Sequence, residues 1–371
     1  MSYLNFQGMR PALCGVLLGV VLMAGVAQVA LSASADVLDT PAAPDQRGAR
    51  AVLLAITRAG NRLVSVGERG IVLLSDDNAL SWRQARAVPV STTLTAVSFA
   101  DDRNGWVVGH GGIVLHSSDG GETWSKQLDG VLAAELELQA AQAQSAVDPE
   151  GASRRLNTAR QLVTEGADKP FLAVYFSDAQ TGLVVGAYGL AMLTEDAGRH
   201  WRSMGAELDN PGGMHLYAVR GDTQGILIAG EQGSLWRGPA LGQRFSRMQS
   251  PYQGTWFGVV PNAGQALVFG LKGNACFLDN SGRCQLLETG EHSSLTAATT
   301  LADGSLVLAS EGGRLLRSRD QGRTVQAMTV AGLDGSTITD VTQARDGALV
   351  LTGPRGVKRV NTPVADQENA Q

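Results

Sequence analysis

Three groups of residues in this chain could do chemistry: a recurring carboxylate, five histidines and a pair of cysteines. The carboxylate sits in the phrase Ser117-Ser118-Asp119-Gly120-Gly121-Glu122-Thr123-Trp124, with looser copies running from Ser75 to Trp82, Thr194 to Trp201 and Ser318 to Val325. Asp77, Asp119, Asp196 and Asp320 therefore hold one position of one motif, and Trp82, Trp124 and Trp201 close three of the copies. Glycoside hydrolysis needs two carboxylates opposed across a single bond, and one carboxylate repeated in equivalent turns is not that arrangement. The spacing predicts a structural unit instead. The Asp accepts backbone N–H groups of its own turn, the Gly supplies the turn's backbone angles, and the Trp packs its ring between sheets.

The histidines (His110, His116, His200, His215, His292) show no metal-ligand spacing. Gly109-His110-Gly111-Gly112 is glycine-rich, but it is one copy of a repeated turn and not a phosphate loop. G-x-S-x-G, G-x-x-x-x-G-K-[ST] and H-E-x-x-H are all missing. The reading is a chain with no catalytic residue, no metal and no cofactor. Cys276 and Cys284 flank the turn sequence Asp279-Asn280-Ser281-Gly282, so they could face each other across a hairpin and oxidise outside the cytoplasm. The alternative is two thiols half-buried in strands, because pairing depends on register.

The elements that position these residues come from a repeat. A small residue, two variable residues and a glycine, set between apolar runs, recur as Gly67-Glu68-Arg69-Gly70, Gly109 to Gly112, Gly186-Ala187-Tyr188-Gly189, Gly230-Glu231-Gln232-Gly233, Gly270-Leu271-Lys272-Gly273, Ser310-Glu311-Gly312-Gly313 and Gly353-Pro354-Arg355-Gly356. The copies begin at 67, 109, 186, 230, 270, 310 and 353, about forty residues apart save for one long gap. Each copy reads as four short strands rich in Val, Ile, Leu, Trp and Thr, separated by turn formers. Seven such units predict an all-β, seven-bladed β-propeller over residues 51–362, whose blades bury their faces only against neighbours. The seventh copy shows three strands. Its outer strand is expected from the segment 36–50, with Val37-Leu38 the best apolar candidate, and residues 363–371 form a polar tail.

Composition agrees and narrows the class. Glycine is abundant (46), hydrophobics make up 44% and charged residues only 18%. The net charge is -5 with no basic run, which removes nucleic-acid binding. Residues 1–35 read as an export signal: Arg10, an apolar stretch 13–31, then Ala33-Ser34-Ala35 as a small-x-small exit, with cleavage expected near Ala35. A retained membrane anchor is the alternative, since the apolar stretch approaches spanning length.

The long gap holds an insertion at 131–168. The stretch 131–147 is rich in Ala, Leu, Glu and Gln, with Leu132, Leu136 and Ala140 on one face; 154–165 is a second helix with Leu156, Ala159 and Val163 aligned. This predicts a helical hairpin projecting from the ring between blades 2 and 3. In a meander, turns alternate strictly between two sides, so the insertion shares a side with the seven repeated turns. Those turns present Glu68, Arg69, His110, Tyr188, Glu231, Gln232, Lys272, Glu311 and Arg355, and the blade links add Tyr252, Trp256 and His292. A mixed-charge ring with aromatics beside a helical arm has the composition of a partner-binding face.

The phrase around Asp119 resembles the Asp-box of the bacterial neuraminidase repeat. Sialidases also carry that box, but they add an arginine cluster and typically have six blades. The whole span from Ala51 to Pro363, most clearly DKPFLAVYFSDAQTGLVVGAYGLAMLTEDAG at 168–198, resembles the photosystem II stability and assembly factors. That resemblance implies a non-catalytic propeller exported to the periplasm or a thylakoid-lumen-like compartment, where it holds a membrane protein complex. The helical insertion resembles the branch found in non-photosynthetic bacteria, for which an envelope exporter of the resistance-nodulation-division type is the implied partner. An exported glycan-binding or glycan-hydrolysing protein is the competing class.

Overall fold

The computed structural model describes residues 36–361 apart from positions 46, 223, 263 and 264. The expected signal segment at 1–35 and the tail at 363–371 lie outside the described residues. The described residues form seven antiparallel sheets, six of four strands and one of three, each with its strands in chain order. The first strands are Leu53–Ala59, Leu94–Phe99, Phe171–Phe176, Leu216–Asp222, Trp256–Asn262, Leu295–Thr300 and Asp340–Gln343. Each touches the first strand of the next blade, and the last touches the first. That cyclic contact is the closed ring of a seven-bladed propeller.

Burial follows from this geometry. The second strand of each blade lies between two strands of its own sheet and two neighbouring blades, so it reads as an unbroken apolar run. Gly105–Gly109 (GWVVG) and Gly182–Gly186 (GLVVG) are buried at every position. The first strands carry a bulge at one shared place, after Leu53, Leu94, Leu216, Trp256 and Leu295. A bulge leaves one residue outside the ladder and re-aims its side chain. At that position Thr95 and Thr296 donate to a carbonyl of the following blade, Phe171 O at 2.7 Å and Ile338 O at 2.6 Å. Thr339 makes the same bond from blade 7 to Leu53 O of blade 1, at 2.7 Å.

The ring closes differently from the sequence expectation. Val37 and Leu38 add no strand to the seventh sheet, which among the described residues holds Asp340–Gln343, Leu349–Gly353 and Gly356–Val360. The segment runs over blades 1 and 2 instead: Ser91 N–H donates to Val37 O, Ala42 N–H donates to Val88 O, and Leu38 is buried over Gly111. The reason is local. Gly111 has no side chain, and the space above it takes the Leu38 methyls. The edge of Gly356–Val360 meets the short turn Gly48–Arg50, and a Cβ on Gly356 would stand 1.9 Å from Ala49 O. Further seam bonds run from Ile56 N–H to Asp340 Oδ2 (2.8 Å) and from Arg359 Nε–H to Asn78 O (3.0 Å).

The insertion folds as helices α1 (Gly130–Val147) and α2 (Ser153–Glu165). Asp129 caps α1 by accepting the Leu132 N–H. The buried face of α1 is rotated from that expected, to Ala133, Ala134 and Ala141 with Leu132 facing outward; in α2 Ala159 is buried as expected, but Leu162 is buried beside it and Val163 faces outward. Alanines let the helices approach closely, and the pair Arg155–Glu137 is set between them at 2.8 Å. Arg155 also reaches Gln144 and Ser203, and Ser203 Oγ–H donates to Glu137. Ser203 belongs to the outer strand of blade 3. The hairpin therefore leans on blade 3 rather than standing free.

Candidate functional site

Hydrogen bonds fix which loops share a side. Gly70 N–H donates to Thr92 O and Gly233 N–H to Gly254 O, so each turn is tied to the link leaving its blade. A Cβ on Gly112 would stand 2.5 Å from Gly130 at the start of α1, which puts the insertion beside these turns. Within them Arg69, Tyr188, Gln232 and Lys272 have φ between 52° and 56°, and the glycine after each is also left-handed. Glycine is needed there because the neighbouring link carbonyl fills the Cβ position; at Gly233 it would lie 1.8 Å from Tyr252 O. The carboxylate turns occupy the opposite side, with Gly120 N–H donating to Arg103 O and Ala197 N–H to Gln180 O.

The four carboxylate turns are one structure. Asp119 Oδ1 accepts the Thr123 N–H (2.9 Å) and Oδ2 the Thr123 Oγ–H (2.6 Å), while Ser117 Oγ donates to the same carboxylate. Ser81 serves Asp77, His200 serves Asp196 and Thr324 serves Asp320 in the same way. These bonds hold Asp77 and Asp196 down to about 2. A carboxylate so held is a poor general acid at neutral pH. Trp124 donates to Gly121 O and meets Phe99 edge-on; Trp201 meets Phe176 edge-on; Trp82 is half-buried against blade 7. Cys276 and Cys284 are joined in a disulfide with Cα atoms 5.6 Å apart. Among the described residues no group of His, Cys, Asp and Glu could hold a metal ion, and no helix is long and apolar enough to cross a membrane.

The residues expected on the insertion side divide into two kinds. His110, Gln232, Lys272 and Glu311 are exposed. Arg69 is two-thirds exposed beside Glu68, and Arg355 is more exposed still beside Asp334. Glu68 and Glu231 have local work: each carboxylate accepts the N–H that opens its own blade, Val52 and His215 respectively. Tyr188 is 46% exposed, with the Lys169 ammonium 4.9 Å from its ring centre. Trp256 is not displayed. It is fully buried as the first residue of its strand, donating to Ser250 Oγ, and Tyr252 is tied down by its bond to Leu271 O.

Sequence reading missed a run of rings on this side. Tyr188, His215, Tyr217 and Phe257 follow one another at centre-to-centre steps of 5.0, 6.4 and 5.4 Å. It also missed Arg220 and Asp340, on the first strands of blades 4 and 7, which feel each other's charge across the axis. No spacing rule marks a bulge residue or an axial residue, so neither had a signal. Beside Tyr188 a cleft of about 610 Å³ opens between the hairpin and blades 3 and 4, walled by Arg154, Thr158, Asp209, Asn210 and Arg244.

Fold and turns define a seven-bladed propeller of the carboxylate-turn repeat type. Residues 50–147 match the photosynthesis system II assembly factor YCF48 family. Among solved structures the chain resembles YCF48 bound to a D1 peptide (TM-score 0.61, 18% identity, 85% of this chain and 94% of that one). It is also similar to YCF48 from Cyanidioschyzon merolae (0.60, 18%, 85% and 96%) and, at 12% identity, to the WD40 propeller domain of Doa1 (0.58, 88% and 97%). No curated protein matches the sequence. At 18% identity or less, these likenesses show the propeller fold.

Proposed function

We propose that this protein is an exported, non-enzymatic scaffold that holds a membrane protein complex through its insertion side. The observation that carries the reading is asymmetry. One side gains a helical hairpin, a cleft and a run of rings, while the other side spends its recurring carboxylates on its own turns. The YCF48 match and a YCF48 structure with a D1 peptide support a protein-binding role. The leader sequence and the disulfide support export to a periplasmic or lumen-like compartment with cleavage near Ala35. The insertion resembles that of the non-photosynthetic branch, and this resemblance is what supports an envelope exporter as the complex held.

The test is capture of membrane complexes by the purified protein. Removing 131–168, or reversing charge at Arg69, Lys272 and Arg355, is expected to weaken capture; reversal at Arg199 and Arg323 on the carboxylate-turn side is not. Capture lost only from the second set overturns the reading, and hydrolysis of a glycan panel by the intact protein favours the sialidase-like class.

A further inference from the structure

The bulge position of the first strand is filled differently from blade to blade. In blades 2 and 6 it holds Thr95 and Thr296, and in blade 7, whose ladder shows no bulge, Thr339 stands just before the first strand; all three hydroxyls strap one blade to the next. In blades 4 and 5 it holds Tyr217 and Phe257, which make no such strap. Their rings meet at 5.4 Å and 79°, an open corner on the insertion side. Both rings are half-buried, so each keeps part of its surface accessible.

A carboxylate completes the corner. Burial raises the Tyr217 phenol, and the nearby Glu231 charge raises it further. One oxygen accepts the His215 N–H at 2.9 Å and the other lies 3.7 Å from His215 Nδ1. About a third of the side chain remains exposed, and no described Lys or Arg forms an ion pair with it. Aromatic faces carry negative potential, and a nearby carboxylate adds to it. The far end of the same run shows the matching interaction within the chain itself, with Lys169 over Tyr188.

We propose that Tyr217, Phe257 and Glu231 form a receptor for a cationic side chain, an arginine or lysine presented by a protein partner. The proposal deepens the partner-binding reading of this side by naming the chemistry that it recognises. The two ring faces exclude water from one side of the cation while Glu231 neutralises it. Neutral side chains of equal size gain only the apolar contact, so the site selects for charge.

The test titrates the purified protein with blocked pentapeptides Ala-Ala-X-Ala-Ala and follows ring-proton shifts of Tyr217 and Phe257 by NMR. X is arginine or lysine, compared with citrulline or norleucine. The cationic peptides are expected to bind about fivefold tighter than their neutral counterparts. Glu231→Gln and Phe257→Leu should reduce that preference below about twofold, while Tyr217→Phe, which keeps the ring, should retain it. Equal binding of charged and neutral peptides, no saturable shift with any of them, or a preference that survives both Glu231→Gln and Phe257→Leu overturns the proposal. Because the assay uses no membrane complex, its outcome is independent of the capture experiment.

Discussion

The Ile56 N–H donates to Asp340 Oδ2 at 2.8 Å, so the first blade of the ring hydrogen-bonds to a carboxylate of the last. The other Asp340 oxygen accepts its neighbour's N–H, from Val341. Arg220 feels this carboxylate from three blades away, yet the two form no ion pair. Enclosure by the inner strands outweighs all three favourable contacts and raises Asp340 from 3.8 to about 6.

A raised folded-state pKa means that the folded protein holds its proton where the unfolded chain has lost it. Stability from Asp340 is therefore complete below about 3.8 and is lost as pH rises through about 6. Asp340→Asn should remove that loss, gaining on the order of 2 kcal/mol over the wild type between pH 4 and pH 7. Urea unfolding at several pH values checks this, and parallel pH profiles for the two proteins would refute it. Asp77 and Asp196 act with the opposite sign: held to about 2, they stabilise above 3.8 and lose that contribution as pH falls toward 2.

Asp119→Ala removes the acceptor of two bonds from Thr123 and one from Ser117. The expected cost is about 1–2 kcal/mol of stability, with partner capture intact. Unchanged unfolding with capture abolished is the contrary result.

Glu137→Ala leaves Arg155 largely buried between α1 and α2 without its carboxylate. Breaking such a pair costs about 3 kcal/mol, and the loss should stay within the insertion. Hydrogen exchange is expected to accelerate across α1 and α2 while the second strands of the blades keep their protection. Uniform acceleration throughout the ring would show that the hairpin is integral to the propeller.

Thr339→Val keeps the shape at the seam and deletes the strap to Leu53 O. A loss of about 1 kcal/mol is expected, similar to that for Thr95→Val inside the ring. Chemical denaturation of both variants measures it, and a much larger loss at Thr339 would make the seam the weak joint.

The architecture was legible because it repeats. Seven copies of one turn, each ending in a glycine, mark seven blades even where single strands are short. The carboxylate turn was legible because Ser, Asp, Gly and Thr each have one local task at fixed spacing. Closure was misread because Val37 and Leu38 look like a strand in isolation, and only the bare surface above Gly111 gives Leu38 its place. The hairpin was found from its composition, and Ala159 was placed correctly, but the α1 stripe was placed one residue off, since alanines and the ion pair with Arg155 take the inner face there. The rings Tyr217 and Phe257 stayed hidden because a bulge alters the side-chain alternation that a sequence reader assumes.

The meeting of Thr339 with Leu53 O spans 286 residues, and this sets the order of events in folding. Blades 1 and 2 can pair as soon as they exist, helped by the segment that crosses both. The outer flank of blade 1, with Ile56 and Leu63, waits for Val350 at the far end of the chain. Until that strand arrives the flank is an uncovered apolar surface, and the ring is an open arc. Slow, late and all-or-none maturation follows, because loop closure over nearly the whole chain must precede its reward. A chain cut short by a single blade would keep its secondary structure and still have two sticky ends.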